Sequence, residues 1–252
     1  MNRPRRSRLA FGVVLCLAIV PGVASAQSAA PSSPPAAASP GPTLTLPVDS
    51  APLAAGHYSS GVFGPALTFD LAGDGWRGDE TPGQFLELSR QMGDSSGVLS
   101  VSLFDGTVAT DPCLPVVDGQ VDLTAAAFTT WFTGLASMSS TTTPTTFAGD
   151  SATQVDATVL ADACPNSPFL MLWDGFRLYP SEAMRMIAID QGSQVIVITA
   201  ETVQSTDLPD FLDAAQPVID SMVFAAAGPG GPASTGSPAS SGGPGSSGSP
   251  AP

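Results

Sequence analysis

Along residues 85–224 apolar and polar positions alternate in short runs broken by Gly, Asp, Ser and Pro, the periodicity of strands. Between 98 and 104, Leu99, Val101 and Leu103 alternate with Ser100 and Ser102. Between 153 and 159, Val155, Ala157 and Val159 alternate with Gln154, Asp156 and Thr158. Runs at 183–189 and 194–201 flank Asp190-Gln191-Gly192-Ser193, whose glycine accepts a positive φ, so a β-hairpin is predicted there, with Met184 and Met186 as core strand residues. The strand-like runs 85–89 and 98–104 are joined by Gly93-Asp94-Ser95-Ser96-Gly97, a second predicted turn. The unbroken apolar run 169–173 predicts a central strand.

Two segments change period. After Asp122, a good N-cap residue, Leu123, Ala127, Trp131 and Leu135 recur every fourth position with Phe128 beside them. After Asp207, Phe211, Ala215, Val218 and Met222 recur with Leu212 and Ile219 adjacent. Pro209 suits a first helical turn, whereas Pro217 removes a donor and predicts a kink or a split. The order is strands, helix, strands, helix and a short apolar end at Val223-Phe224. That order predicts an α+β fold, a mainly antiparallel sheet flanked by about two helices.

The ends of the chain read differently. Residues 1–8 are basic, 9–20 are apolar with one Gly, and Pro21 precedes Ala24-Ser25-Ala26, the layout of a secretory signal peptide over 1–26. The apolar run is shorter than the roughly 20 residues of a spanning helix, so no stable membrane span is expected after cleavage; an uncleaved anchor is the alternative. Cys16 follows Val14-Leu15 where a lipidation signal needs small residues, which argues against a lipoprotein. An Ala/Pro/Ser linker at 27–45 and a Gly/Pro/Ser tail at 227–252 lack the apolar side chains to offset the entropy of ordering and are expected to be disordered. One domain is expected between them, over 46–226, long enough for a substantial core.

Charge and cysteine content sharpen this picture. The chain of 252 residues carries 8 Lys plus Arg, all of them Arg, against 22 Asp plus Glu, a formal charge of -14. Removing residues 1–26 removes four of the arginines and no acid, leaving Arg77, Arg90, Arg177 and Arg185 and a charge of -18. So acidic a chain has no means of displacing counterions from nucleic acid, and without a lysine it has no P-loop or Schiff-base chemistry. Export leaves two cysteines, Cys113 and Cys164, an even pair in an oxidising compartment, and a disulfide is expected. No cofactor or metal site is expected, because two isolated cysteines and a single histidine do not make the close ligand pairs of a zinc site.

Several short motifs invite chemistry. Gly93-Asp94-Ser95-Ser96-Gly97 matches the G-x-S-x-G of hydrolase nucleophile elbows, but it links two strand-like runs, and His57 precedes it where that order requires the histidine to follow. Arg77-Gly78-Asp79 matches an adhesion tripeptide short enough to arise by chance. Asp70, Asp74, Asp79 and Glu80 cluster without the alternate-position register of a calcium loop, and 22 acids offer too many pairs to assign glycosidase carboxylates. No catalytic residue is assigned.

The stretch from Leu67 to Trp76, with Phe69, Asp70, Gly73 and Gly75 inside it, resembles the F-x-hydrophobic-P-x-G-W opening of PsbP-like domains. Ile219-Asp220-Ser221-Met222-Val223-Phe224 resembles their closing helix and S-hydrophobic-x-F signature. That superfamily includes the PsbP subunit of photosystem II, a yeast nuclear-import factor for the GTPase Ran, and exported actinobacterial lipoproteins of the LpqN type. Exported proteins of high-GC bacteria with a comparable Asp111-Pro112-Cys113, Cys164-Pro165 and Met186-to-Ile198 hairpin are also similar. The likeness covers about 61–224; Ala72-Gly73 stands where the family has its proline, and no lipobox cysteine precedes the domain. The resemblance implies a sheet flanked by helices that serves as a binding or assembly module. PsbP-like domains share no catalytic residues to carry over.

Trp173-Asp174-Gly175-Phe176-Arg177-Leu178-Tyr179-Pro180 is the candidate binding segment. It gathers three aromatics and one of the four remaining arginines, residue types over-represented where partners dock. Trp173, Phe176, Arg177 and Tyr179 are the candidate contacts, although aromatics packing on the sheet beside the disulfide account for the same pattern. The expected function is a secreted, non-catalytic binding or assembly module for a protein or envelope ligand. An extracytoplasmic hydrolase with an acidic site and a structural surface protein are the alternatives.

Overall fold

The computed structural model describes residues 43–46, 50–61, 66–81, 85–173 and 176–225. The expected signal peptide and C-terminal tail lie outside the described residues, as does most of the expected linker; its last residues, 43–45, form a strand. In chain order the first strands are β1 (Thr43–Thr45), β2 (Ala51–Leu53), β3 (Gly56–Ser60), β4 (Leu67–Leu71), β5 (Trp76–Thr81), β6 (Phe85–Met92) and β7 (Ser95–Phe104). The short β8 (Thr107–Val108) and β9 (Gly119–Gln120) lead to helix α1 (Ala125–Thr133), then β10 (Met138–Phe147), β11 (Asp150–Val159), β12 (Leu170–Trp173) and β13 (Phe176–Leu178). β14 (Ala183–Gln191), β15 (Gln194–Thr202), helix α2 (Leu208–Ser221) and β16 (Val223–Phe224) close the fold. This is the mainly antiparallel α+β arrangement the periodicities predict.

Eight strands form one fully antiparallel sheet in the order β10-β11-β14-β15-β7-β6-β5-β2. The hairpin predicted around Gly192 is β14–β15, with Gln191 opposite Gln194 and Gly192 at φ 65°. The Gly93-Asp94 turn joins β6 to β7, with Met92 opposite Ser95. At the centre of the sheet Val195 to Ala200 are all buried, so β15 is apolar on both faces and needs a cover on each.

Alternation sorts the side chains into two cores. On one face Leu86, Leu88, Leu99, Val101, Ile187, Ile189, Ile196 and Ile198 pack with Phe211, Ala215, Val218 and Ile219 of α2 and with Tyr58, Phe69 and Phe224 of a four-stranded sheet, β1-β3-β4-β16. On the other face Phe104, Val155, Ala157, Met184, Met186, Val195 and Val197 pack with Phe128 and Phe132 of α1 and with Leu170, Leu172 and Leu178 of the β12–β13 ribbon. Each outer strand of the large sheet carries a proline, Pro144 in β10 and Pro52 in β2. A proline has no N–H to offer, which interrupts both edges as templates for another strand.

Four local expectations are corrected. Residues 169–173 do not form a central strand: β12 pairs with β13 alone, and its residues are buried because the ribbon lies over the second core. Thr124, not Asp122, caps α1, its hydroxyl accepting from Ala127 N at 3.1 Å, while Asp190 Oδ1 of β14 accepts from Ala125 N at 2.7 Å. The buried face of α1 is Phe128 and Phe132, and Leu123 is exposed, because a nine-residue helix starting after Thr124 turns the bulkiest side chains to the sheet. α2 is also a single helix through Pro217, which faces solvent, so that the Asp213 carbonyl left without a helical donor can take water.

α2 sits close to the sheet because β7 has a glycine beneath it. A Cβ on Gly97 would lie 2.3 Å from Phe211 ring carbons, and Phe211 is fully buried with its ring 6.0 Å from that of Trp76. Gly97→Ala is expected to cost about 1–3 kcal/mol by overpacking. Urea unfolding measures this as a lower midpoint at unchanged slope; an unaltered midpoint would show that α2 reseats freely.

Candidate functional site

The candidate binding segment folds as the β12–β13 ribbon, with Leu170 opposite Leu178 and Met171 opposite Arg177. Residues 174 and 175, at its turn, lie outside the described residues. Alternation divides its residues between two sides. Trp173, 4% exposed, stacks on Phe176 at 4.1 Å and meets Phe128 and Trp131 edge-on at 5.2 and 6.5 Å. Arg177 points outward, its guanidinium 5.1 Å over the ring of Phe169, which is edge-on to Tyr179 at 6.5 Å. Tyr179 is 48% exposed. The four candidate residues are therefore not one surface: Trp173 and Phe176 fix the ribbon to α1, and Arg177 and Tyr179 present its outer side together with Phe169. Sequence reading missed Phe169 as a surface residue because it was assigned to a central strand.

The disulfide secures this ribbon. Cys113 and Cys164 are bonded, with Cα atoms 5.3 Å apart. The segment before Cys113 runs beside β12, where Ala109 N donates to Leu172 O and Met171 N donates to Pro112 O, each at 2.8 Å. Asp118 closes the same loop by accepting from Thr110 Oγ1 at 2.6 Å and Thr110 N at 3.2 Å. The Thr110 hydroxyl, then its N–H, hold the Asp118 carboxyl below the usual carboxylate range.

A second polar feature lies on the same face of the large sheet, toward the strands that α1 does not reach. Thr199 of β15 and Ser100 of β7 are hydroxyl-bonded at 2.5 Å. Glu201 follows on β15, Glu87 on β6 stands opposite Ser100, and Asp79 on β5 stands opposite Glu87. Oε2 of Glu201 is buried without a hydrogen-bond partner among the described residues. Burial first, then the charges of Glu182 and Glu87, push the Glu201 carboxyl up to about 8. Glu87 is raised by burial and Asp79, and Glu182 by burial, partly offset by the Tyr179 N–H that it accepts at 2.6 Å. Burial therefore favours the neutral form of the Glu201 carboxyl at neutral pH. Among the described residues no group of three or more His, Cys, Asp or Glu side chains is placed to hold a metal ion. The cluster was hidden in sequence because Glu87 of β6, Glu182 just before β14 and Glu201 of β15 come from three separate segments.

The remaining motifs are dispersed. Ser95 begins β7 in a hairpin turn and donates to Met92 O at 3.1 Å, while His57 is on β3 of the other sheet with Nδ1 2.7 Å from Asp70 Oδ1. Arg77-Gly78-Asp79 lies within β5, where Gly78 is buried, so the tripeptide is not displayed on a loop. No described helix is long and apolar enough to cross a membrane.

No family model matches the chain, and no curated protein matches it. Among solved structures it is similar to the crystal structure of LpqN, involved in cell envelope biogenesis of Mycobacterium tuberculosis, at 16% identity over 67% of this chain and 90% of that chain, with a TM-score of 0.35. An overlap of that size leaves fold and function to be argued from this chain's own residues, and the PsbP-like resemblance rests on the residues quoted for it.

Two measurements test this region. The bridge closes a loop of sequence separation 51, for which chain entropy gives about 4 kcal/mol. Replacing both cysteines by Ser is expected to lower stability by up to that amount and to loosen the ribbon, read as faster amide exchange across 170–178. For Glu201, the unfolded carboxyl ionises from about 4.5, whereas the folded one keeps its proton to about 8. Its contribution is therefore full below about 4.5, falls as pH rises through the interval and is flat above about 8. Glu201→Gln is expected to flatten the decline of melting temperature between pH 5 and 8; the same slope in both proteins would place the titration elsewhere.

Proposed function

We propose that the chain is an exported, non-catalytic binding module that docks a protein or envelope ligand through the outer side of the β12–β13 ribbon. The observation that carries this reading is the cluster of Arg177, Phe169 and Tyr179, a cation over an aromatic face beside an exposed phenol. Arginine and tyrosine are the residues most often found at the energetic centres of interfaces. The cluster is preorganised, since the Trp173–Phe176 stack and the Cys113–Cys164 bridge hold the ribbon before any partner arrives. Export is supported by the signal-like N-terminus and by a disulfide, a bond that persists in oxidising compartments. Arg177 also supplies a positive point on a strongly acidic molecule, favouring a partner with an acidic or hydrogen-bond-accepting group.

The test is capture from an envelope fraction with the domain from residue 27 onward, compared with Arg177→Ala/Tyr179→Ala. Both side chains are exposed, so the variant is expected to keep the wild-type melting temperature and to retain at least tenfold less of the captured partner. Equal capture by both proteins sinks the ribbon as the docking surface.

A further inference from the structure

The opposite face of the large sheet carries a groove that the ribbon does not touch. α2 packs over β4, β7 and β15, and leaves the outer strands β10 and β11 uncovered on its side. Register brings Thr141 beside Asp156 and Thr143 beside Gln154, and sets these in turn beside Arg185 and Ile187 of β14. These positions share one face, and the Arg185 bond to Gln216 of α2 shows that it is the face the helix covers. Gln216, Ile219 and Asp220 form the wall, and the hairpin tip from Thr145 to Gly149 closes one end. The cavity measures about 320 Å3, within the size range of small-ligand sites.

Its polar groups are fixed in orientation by one continuous chain of hydrogen bonds. Gln154 Nε2 donates to Asp156 Oδ2 at 3.0 Å, and Arg185 Nε donates to Asp156 Oδ1 at 2.7 Å. Arg185 Nη1 donates to Gln216 Oε1 at 3.0 Å, and Gln216 Nε2 donates to Asp220 Oδ1 at 2.8 Å. That arrangement leaves Gln154 Oε1 and Asp220 Oδ2 as acceptors without a partner among the described residues. The hydroxyls of Thr141, Thr143, Thr145 and Thr146 likewise make no hydrogen bond among the described residues, unlike those of Thr107, Thr110, Thr199 and Thr202.

We infer that this groove binds a neutral oligosaccharide. Charge decides against an anionic ligand: Arg185, the cation of the groove, is already neutralised by Asp156, and Asp220 repels an anion. Sugar hydroxyls each donate and accept, and the groove sets fixed acceptors next to hydroxyls that do both. Ile187 and Ile219, 4% and 3% exposed, close the floor of the cavity, so recognition rests on the polar groups above them. A peptide strand is a poorer occupant, because Pro144 interrupts the β10 edge on which it would extend the sheet.

Saturation-transfer NMR on the domain from residue 27 onward tests this, using neutral gluco-, manno- and galacto-oligosaccharides, a uronate oligomer, and a Thr/Pro-rich peptide as probes. Transfer to at least one neutral oligosaccharide is expected, with the uronate and the peptide silent. Gln216→Ala should weaken that binding at least tenfold. Because this change also removes an Arg185 partner, Thr143→Val/Thr145→Val provides a second variant that breaks no internal hydrogen bond, and it too should weaken binding with an unchanged melting temperature. Silence from all three neutral oligosaccharides, preference for the uronate or the peptide, or full binding by the threonine variant overturns the inference. Arg177 and Tyr179 lie with the ribbon on the other face, so either result leaves the docking proposal to its own test.

Discussion

The structure depends on a sheet whose central strands are apolar on both faces. Val195 to Ala200 are buried residue by residue, and their partners on β14 and β7 add Ile187, Ile189, Leu99 and Val101 to one face and Met184, Met186 and Phe104 to the other. A sheet of this kind is stable in water only when each face has its own cover. α2 with the small β1-β3-β4-β16 sheet supplies one, and α1 with the disulfide-held ribbon supplies the other.

Neither cover reaches the full width of the sheet, and the uncovered parts are where polar chemistry collects. On the α2 side the outer strands bear Thr, Gln and Asp, and Arg185 reaches between Asp156 of the sheet and Gln216 of the helix. On the α1 side, past the strands that α1 reaches, Glu87 and Glu201 lie on the same face as Val195 and Val197, and burial holds their carboxyls above the ordinary range. One strand thereby serves two purposes: Val195 and Val197 fill the core, and Thr199 and Glu201 carry polar groups past its margin. The proline at each outer strand is consistent with the same limit, since an uncovered edge would otherwise offer its N–H groups to another chain.

Much of this was legible in the alternation. The β14–β15 and β6–β7 hairpins, the place of β11 and the position of α2 follow from local patterns, because adjacent strands joined by a short turn have their register set by that turn. The misread elements share a different cause. The run 169–173 has the composition of a central strand, yet burial by α1 and the second core satisfies its side chains equally well from a two-stranded ribbon. The inward face of α1 was misplaced because Leu123 lies before the cap, outside the helix whose spacing it appeared to begin. Phe169 was missed as the ring beneath Arg177 because their meeting depends on the pairing of β12 with β13.

The sequence by itself determined the strand periodicity, the two helices, the acidic charge and the pairing of Cys113 with Cys164, since each rests on neighbouring residues or on simple counts. Tertiary structure alone decided which side of each element faces a cover. It separated Trp173 from Arg177, raised Glu201 beside Glu182 and Glu87, and aligned Gln154, Asp156, Arg185, Gln216 and Asp220 into one chain of hydrogen bonds. The physical reason is that burial, field and hydrogen-bond geometry are set by groups brought together from distant segments, and no local window of sequence contains both partners.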